Sequence, residues 1–277
     1  TSGFCRFSRG FYRFFAWVLL MVCLIMTMNC FILYHASAFS KRYFGEEKGD
    51  YTPAELFAVY NVVAEECNRL SQVVERDETG MAVYTGREGI KISRRDSGDW
   101  QQGLNAMGDE ARELMQQLGH TYPQLDGWYP EPKAMFFSDF MCQQYMQGYY
   151  FPFSMEANYN DVMHILNIPS TMCHELAHLR GYIFEDEANF IGYLACIQAE
   201  DEFFLYAGYL SVLNYLYNDV YKLEREQPEV FAETMAAVPL TGVSAQVWED
   251  NIFVSDEEWE RINGKALIDT ELVDKAA

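Results

Sequence analysis

The residues most able to do chemistry in this sequence are His174, Glu175 and His178, which form a His-Glu-x-x-His motif. Two histidines four residues apart on a helix project from the same face, so both imidazole rings can reach one cation. Glu175 is rotated about a quarter turn from His174, where its carboxylate can miss the cation and still touch a water on it. The motif therefore predicts a zinc site with a general base and one further protein ligand.

The sequence on either side of the motif carries helix boundary signals. Pro169 indicates a helix start, and Gly181 indicates a stop just after the second histidine. The alternative is a helix whose histidines are ordinary core or surface residues. A helix that begins and ends around the two histidines favours the metal site over that alternative.

The third ligand is expected from the acidic cluster of Glu185, Asp186 and Glu187, which begins a second helix running towards Glu200. Acids are common in a first helical turn because they complement the helix dipole, so their presence alone identifies no ligand. Glu185 is favoured because its helix face carries small or polar residues that suit close packing on the metal helix. Those residues are Ala188, Asn189 and Gly192. Glu187 points about 160° away from Glu185 and stays the alternative.

Residues 185–189 resemble the Glu-x-x-Ala-Asp/Asn signature of membrane-bound gluzincin metallopeptidases of the Ste24/HtpX type, in the peptidase MA clan. In that signature the first Glu binds zinc and the Asp or Asn four residues later orients a ligand, which implies these roles for Glu185 and Asn189. More closely, residues 174–189 and 148–158 are similar to the bacterial membrane family catalogued as domain of unknown function 3810. That family is grouped with the zincin-like peptidases.

The resemblance implies a mainly α (α+β) zincin-like metallopeptidase domain with a small β-hairpin or sheet, preceded by one transmembrane helix. Motif and resemblance together predict that His174, His178 and Glu185 hold Zn²⁺. Glu175 would act as general base, taking a proton from the zinc-activated water that attacks a peptide carbonyl and returning it to the leaving amine. Asn189 would orient a ligand from outside the coordination shell.

Two other classes of function stay open at the level of sequence. A zinc-binding but non-catalytic membrane sensor or scaffold would keep the metal, and Glu175 would then be dispensable. A membrane-anchored interaction protein would carry the motif by coincidence and bind a partner through an aromatic hairpin. A base, two ligands, a helix stop and a carboxylate for the third ligand all occur within a short stretch, which argues against the interaction protein.

Residues 14–34 carry no charge and are almost wholly apolar, which is long enough for a helix that crosses a bilayer. Trp17 and Tyr34 lie near its two ends, as interfacial aromatic residues do. The alternative is a signal peptide, for which the small residues 36–38 would form the cleavage site.

Charges beside the apolar segment predict its orientation: Arg6, Arg9 and Arg13 precede it, and Lys41 and Arg42 follow it. The positive-inside rule then predicts a cytoplasmic stub at 1–13, a transmembrane helix at 14–34 and an extracytoplasmic metallopeptidase domain at 35–277 in the cell membrane. The chain begins at Thr1 rather than Met and lacks a Gly-rich C-terminal segment that the resemblance leads us to expect. We therefore expect a piece of a longer protein, with an earlier span upstream.

The formal charge of −21 argues against nucleic acid as a partner, because phosphate binding needs clustered Lys and Arg. The expected partners are a peptide or protein substrate and, through residues 14–34, membrane lipid. The cysteines have no metal-type or disulfide-type spacing and leave the redox compartment undecided. Cys173 is expected to be a small buried side chain rather than a redox switch.

Helical periodicity predicts the frame around the motif. Thr52 to Glu55 form a strong helix start, with a Thr N-cap, Pro and Glu in the pattern of a capping box, and this helix is expected to run to about Arg76. Its predicted buried residues are Leu56, Val59, Tyr60, Val63 and Leu70. Residues 77–97 are expected to form a loop.

A second helix is predicted from Trp100 to Leu118, with Gly119 ending it. Its predicted buried residues are Leu104, Met107, Ala111, Leu114 and Leu118. A long core helix is predicted over 203–221, followed by an acidic tail of short helical pieces that Pro228 and Pro239 interrupt. Trp248 and Trp259 are expected to pack the tail back onto the domain.

Residues 134–137 and 145–153 are rich in β-formers and predict the two strands of a hairpin. Pro152 cannot donate a ladder hydrogen bond, so its strand is expected at an edge. An unpaired edge beside the metal helix could bind an extended peptide by strand addition, a use for which zincin peptidases are known. Alternatively, Pro152 only protects the edge against aggregation.

Three further residues were considered for the site. His164 could be a fourth ligand or an oxyanion donor, although a lone histidine in a linker is more often neither. Tyr206 and Tyr209 could also stabilise an oxyanion, although core packing is the favoured role for both.

Overall fold

The computed structural model describes residues 2–45 and 51–264, which form an N-terminal helix and a mainly helical domain with two small sheets. Helix α1 spans Ser2–Met26 and continues as a π-helical turn, Thr27–Ile32. Within it, Arg6–Met26 is long and apolar enough to cross a membrane, and none of this segment is buried against the domain. The helix extends further towards the N-terminus than the predicted segment 14–34, because arginine is a good helix former outside the apolar stretch.

A juxtamembrane segment, residues 33–44, connects α1 to the domain and contains helix α2, Phe39–Phe44. Phe39 is buried. The aromatic rings around it belong to Tyr43, Tyr122, Tyr182 and Phe190. The Phe39 amide donates a hydrogen bond of 2.5 Å to Glu187 Oε1. The segment that follows the apolar helix is therefore packed onto the domain rather than extended away from it.

The helical core consists of α3 (Pro53–Val73), α4 (Trp100–Thr121), α6 (Ile168–Leu179), α7 (Glu185–Cys196) and α8 (Glu202–Glu226). Helix α3 packs along α8, and α6 packs along both α4 and α7. The predicted capping box is confirmed, since Thr52 and Glu55 exchange hydrogen bonds. Four predicted core positions of α3 are buried, but the prediction that Val59 is buried is wrong, because 52% of its surface is exposed. The buried face of α3 is centred near Tyr60 and Cys67, and Val59 lies at the edge of that face.

Helix α4 buries all five predicted residues, so its apolar stripe is confirmed. The predicted stop at Gly119 is wrong, because the helix continues to Thr121. A side chain at position 119 would lie 2.6 Å from Asp126 Cα. Glycine at this position therefore permits the close return of the chain after the helix, rather than ending it.

The predicted strand pairing is wrong. Strand β3, Lys133–Ala134, is followed by helix α5, Ser138–Gln143, and the hairpin is formed by β4, Gly148–Phe151, with β5, Glu156–Tyr159. The sheet order is β3-β5-β4, with β3 parallel and β4 antiparallel to β5. Phe136 and Phe137 are exposed rather than paired in a strand. Strand β4 is an edge, as predicted, and Pro152 lies just beyond it in the hairpin turn.

Residues 77–97 were predicted to form a loop, but they contain a short antiparallel pair of β1, Tyr84–Thr85, and β2, Lys91–Ile92. Helix α8 is longer at both ends than predicted, and Asp201 caps its start through a hydrogen bond from the Phe204 amide. The tail forms α9, Pro228–Ala237, α10, Ala245–Asp250, and α11, Asp256–Asn263. Pro228 begins α9 as well as ending the preceding helix. Trp248 packs against Tyr217, and Trp259 against Tyr145, so the predicted return of the tail is confirmed.

Candidate metal centre

Helix α6 carries the His-Glu-x-x-His motif, and its boundaries are those predicted. Pro169 lies in its first turn, the helix ends at Leu179, and Gly181 follows with a left-handed φ of 92°. The two histidines share one face, with ring centroids 4.5 Å apart. Local sequence signals therefore account for both the length of this helix and the approach of its two imidazole rings.

Glu185, the first residue of α7, lies against both histidines. Its Oε2 is 3.2 Å from His174 Nε2, and its Oε1 is 3.6 Å from His178 Nε2. One ligand atom from each of the three residues lies within 4.8 Å of the others. Ligands at about 2.0–2.1 Å from a tetrahedral zinc ion are roughly 3.3 Å apart, so this group fits the donor set and spacing of a zinc site.

Glu187, the alternative third ligand, lies elsewhere. Its carboxylate accepts the hydrogen bond from the Phe39 amide at the start of α2. Among the described residues, the group with metal-ligand spacing contains Glu185 and not Glu187. Glu187 holds the juxtamembrane segment, and Glu185 faces the histidines.

Close packing of α7 on α6 brings Glu185 to the histidines. Ala188 is fully buried between the helices. A side chain at Gly192 would lie 3.0 Å from Ser170 O and 3.2 Å from His174 N. Small residues at these positions, as the sequence predicted, let the two helix backbones approach each other directly beside the first histidine.

The orientation of His178 is fixed by the backbone. Its Nδ1 lies 2.6 Å from the Tyr182 carbonyl oxygen, which can only accept, so Nδ1 donates and Nε2 faces Glu185. Burial, together with the neighbouring His174, lowers the pKa of His178. Both effects favour the neutral imidazole with a free Nε2 lone pair, which is the form that binds a metal ion.

Glu175 is 3% exposed, and its Oε1 lies 4.0 Å from His174 Nε2. Its Oε2 is buried and has no hydrogen-bond partner among the residues that the structure describes. Burial, and to a smaller degree the charge of Glu185, raises the pKa of Glu175 to about 9. A buried carboxylate oxygen without a protein partner is costly on its own, and a cation beside it would offset that cost.

Strand β4 forms the other side of the Glu175 pocket. A side chain at Gly148, the first residue of this strand, would overlap Glu175 Oε1. Gly148 was not among the predicted site residues, although a glycine within a strand is a known sign of close approach by another group. The strand edge and the carboxylate are thus in direct contact.

A cleft of about 750 Å³ opens over His174, His178 and Glu185, between β4 and α8. Five tyrosines line it: Tyr34, Tyr145, Tyr149, Tyr150 and Tyr215. Four asparagines also line it: Asn167, Asn189, Asn214 and Asn251. Among the described residues that line the cleft, the only carboxylates are Glu175 and Glu185, and none is Lys or Arg. The cleft therefore suits a chain of largely uncharged groups.

Asn189 lies one turn after Glu185 and lines the same cleft. Its Nδ2 donates a hydrogen bond of 3.1 Å to the Tyr215 hydroxyl on α8. The structure thus places the Asn189 amide on a tyrosine of the cleft wall, while the Tyr182 carbonyl orients His178.

The remaining residues singled out in the sequence lie outside the cleft. His164 is buried, Tyr206 donates a hydrogen bond to Asp250, and Tyr209 packs against Tyr193. Cys173 is fully buried, as predicted. None of the tyrosines that line the cleft was predicted to belong to the site, because nineteen tyrosines in one chain gave no basis for a choice.

Comparison with known proteins identifies a family but no characterised relative. The family described as "Protein of unknown function (DUF3810)" matches residues 3–267. No curated protein and no solved structure matches the chain. Since the match extends over nearly the whole sequence, the chain belongs to the DUF3810 family.

Proposed function

We propose that the protein is a membrane-anchored, zinc-dependent metallopeptidase that hydrolyses peptide bonds. The observation that carries this proposal is the buried, unpartnered carboxylate oxygen of Glu175 next to the group of His174, His178 and Glu185. A purely structural metal site has no need of a second carboxylate beside it that does not bind the metal.

In this proposal the two Nε2 atoms and the Glu185 carboxylate hold the metal. Bound zinc supplies Lewis acidity, which polarises a carbonyl group and lowers the pKa of water. The Glu175 carboxylate would take a proton from the attacking water at the oxygen that has no protein partner, and would pass it to the leaving amine as the peptide C–N bond breaks. The low-polarity surroundings that raise its pKa also raise its affinity for that proton.

Substrate binding is assigned to the free edge of β4. Residues 148–151 pair with β5 on one side only, and residues 147–150 line the cleft on the other. An extended peptide can therefore add to this edge as a further strand, next to Glu175. The absence of Lys and Arg among the described lining residues supports peptide segments of neutral or basic character.

The membrane anchor in this proposal is the exposed apolar helix that contains Arg6–Met26. The arginines at positions 6, 9 and 13 favour a cytoplasmic N-terminus, and the metal domain then lies on the extracytoplasmic side.

The alternative is a zinc-binding membrane sensor or scaffold without turnover. One observation favours it: burial raises the pKa of Glu175 to about 9, and a protonated carboxyl group cannot act as a base. Bound zinc would oppose this effect, because a nearby cation favours the charged carboxylate. The two functions differ in whether the loaded protein hydrolyses peptides.

The first test is metal content, measured by mass spectrometry on the full chain purified in detergent without added metal or chelator. We expect one zinc ion per chain, lost in His174→Ala and Glu185→Gln. Glu187→Gln is the matched control on the same helical turn and should keep its zinc. A folded wild type that binds no zinc even when zinc is supplied would refute the proposal.

The second test is hydrolysis of a peptide library by the wild type and by Glu175→Gln. We expect the variant to keep its zinc and lose hydrolysis. Hydrolysis at the wild-type rate in Glu175→Gln would show that the mechanism is wrong. A zinc-loaded wild type that cleaves nothing would instead support the sensor or scaffold.

A further inference from the structure

A second pocket, of about 530 Å³, lies beside the juxtamembrane segment and shares no lining residue with the metal cleft. Its walls come from the start of α2 and the first turns of α7. Its lining residues are Ala38, Phe39, Ser40, Lys41, Phe184, Asp186, Glu187 and Phe190. Its volume is within the range of roughly 300–1,000 Å³ that is usual for small-molecule sites.

The pocket is adjacent to the end of the membrane helix. The ring of Tyr34, the last residue of the apolar stretch, packs edge-on against Phe184, with the centroids 5.3 Å apart. Ala38 is only four positions after Tyr34, a distance of at most about 14 Å even for an extended chain. With the uncharged stretch 14–34 as the membrane span, the pocket therefore lies close to the boundary between the acyl chains and the head groups of the bilayer.

The lining has the chemistry of that boundary. Phe39 closes the floor and is buried, while Phe184 and Phe190 each leave 39% of their surface exposed at the opening. Lys41 and the two carboxylates of Asp186 and Glu187 provide charges of both signs at the rim. An aromatic floor with a charged rim matches a molecule that has an apolar tail and a charged head.

We propose that this pocket binds a phospholipid of the surrounding bilayer, with an acyl chain against Phe39, Phe184 and Phe190 and the phosphate group towards Lys41. The occupant follows from position, because phospholipid is the amphipathic molecule always present at this level of the chain. The inference rests on the anchoring part of the proposed function and not on zinc or hydrolysis.

The test is photo-cross-linking with the full chain reconstituted in vesicles of phosphatidylethanolamine and phosphatidylglycerol. The photoreactive residue p-benzoylphenylalanine replaces Phe184, and intact-protein mass spectrometry follows irradiation. Two control positions receive the same residue: Trp17, within the apolar helix, and Tyr221, exposed on α8. We expect a single phospholipid adduct at Phe184, as at Trp17, and only background at Tyr221.

A second substitution distinguishes a lipid bound in the pocket from a lipid that only contacts Phe184 from the bilayer. Ala38→Trp places a large ring at the pocket wall and should abolish the adduct at Phe184. Ala36→Trp is its matched control, since Ala36 is exposed and does not line the pocket. Circular dichroism shows that both variants keep their helical content.

Three results would overturn the inference. An adduct at Phe184 that survives Ala38→Trp would show mere proximity to lipid. Cross-links from Phe184 to the chain itself or to a second copy would identify a different occupant. Failure to label lipid from Trp17 would refute the anchoring itself, and the zinc and hydrolysis tests would still decide the peptidase proposal separately.

Discussion

Gly148 on β4 faces the Glu175 carboxylate so closely that a methyl group at position 148 would overlap Oε1. The edge strand and the proposed base are therefore fitted to each other. Any side chain on this glycine must displace either the strand or the carboxylate, and both belong to the proposed reaction site.

The first prediction concerns this contact. We expect Gly148→Ala to lower peptide hydrolysis by about 100-fold, the cost of misplacing a reacting group by about 1 Å, with zinc content unchanged. Gly98→Ala is the matched control, because a side chain at Gly98 would meet nothing within 4 Å. Wild-type hydrolysis in Gly148→Ala would show that Glu175 need not hold this position.

The second prediction concerns Asn189, whose amide contacts the Tyr215 hydroxyl rather than a ligand histidine. We expect Asn189→Ala to bind zinc with nearly wild-type affinity in a competition titration. A residue that orients a metal ligand would instead lower that affinity by about 10–100-fold, which is the outcome that would restore the role implied by family resemblance.

If Asn189 acts through Tyr215, the two side chains should behave as one unit in hydrolysis. We expect Asn189→Ala, Tyr215→Phe and the double variant to have similar rates, because the second change removes a contact already lost. Additive losses would mean that the two residues contribute independently.

The third prediction concerns stability. Arg76 donates two hydrogen bonds to the Asp250 carboxylate, which also accepts one from Tyr206. Because Asp250 is only 4% exposed, Asp250→Asn should lower the free energy of unfolding by about 3 kcal/mol, as expected when one partner of a buried pair is removed.

The matched control is the exposed pair of Arg87 and Glu113, for which Glu113→Gln should cost about 0–1 kcal/mol. Chemical denaturation of all three proteins in the same detergent measures the difference. Equal losses in the two variants would show that the Asp250 network does not stabilise the core.

The fourth prediction concerns pH. Burial lowers the pKa of His164 to about 4, and its Nδ1 has no hydrogen-bond partner among the described residues. As the pH falls, the unfolded chain binds a proton at its ordinary pKa of about 6.5 before the folded chain does. The folded state should therefore lose up to about 3 kcal/mol between pH 6.5 and 4 from this group alone.

His164→Gln removes that group and should flatten the dependence of unfolding free energy on pH in this window. His120→Gln, at an exposed position on α4, should leave the slope unchanged. If His164→Gln and the wild type lose stability in parallel, His164 is already accessible to protons in the folded state.

The parts of the site that the sequence predicted depend on local rules. The spacing of His174 and His178 fixes their common face, and Pro169 and Gly181 bound the helix that carries them. The small residues on the Glu185 face of α7 indicated its packing on α6, and the structure brings Glu185 to both histidines. Each of these inferences spans only a turn or two of helix.

The parts that the sequence did not predict depend on contacts between distant residues. Strand β4 pairs with β5 and not with residues 134–137, because pairing is decided by the neighbouring strand and not by β-propensity alone. The contact of Gly148 with Glu175 and that of Asn189 with Tyr215 each join residues 26 or more positions apart. No periodicity in the sequence reports such pairs.

The juxtamembrane segment packs against the turn between His178 and Glu185. Leu33 lies over Gly181, Tyr34 packs on Phe184, and the Phe39 amide is held by Glu187. A cut between α2 and α3 would therefore separate the domain from the segment that supports the turn between His178 and Glu185. If these residues bind zinc as proposed, such a cut should lower zinc affinity at the same time as it separates the domain from the N-terminal helix.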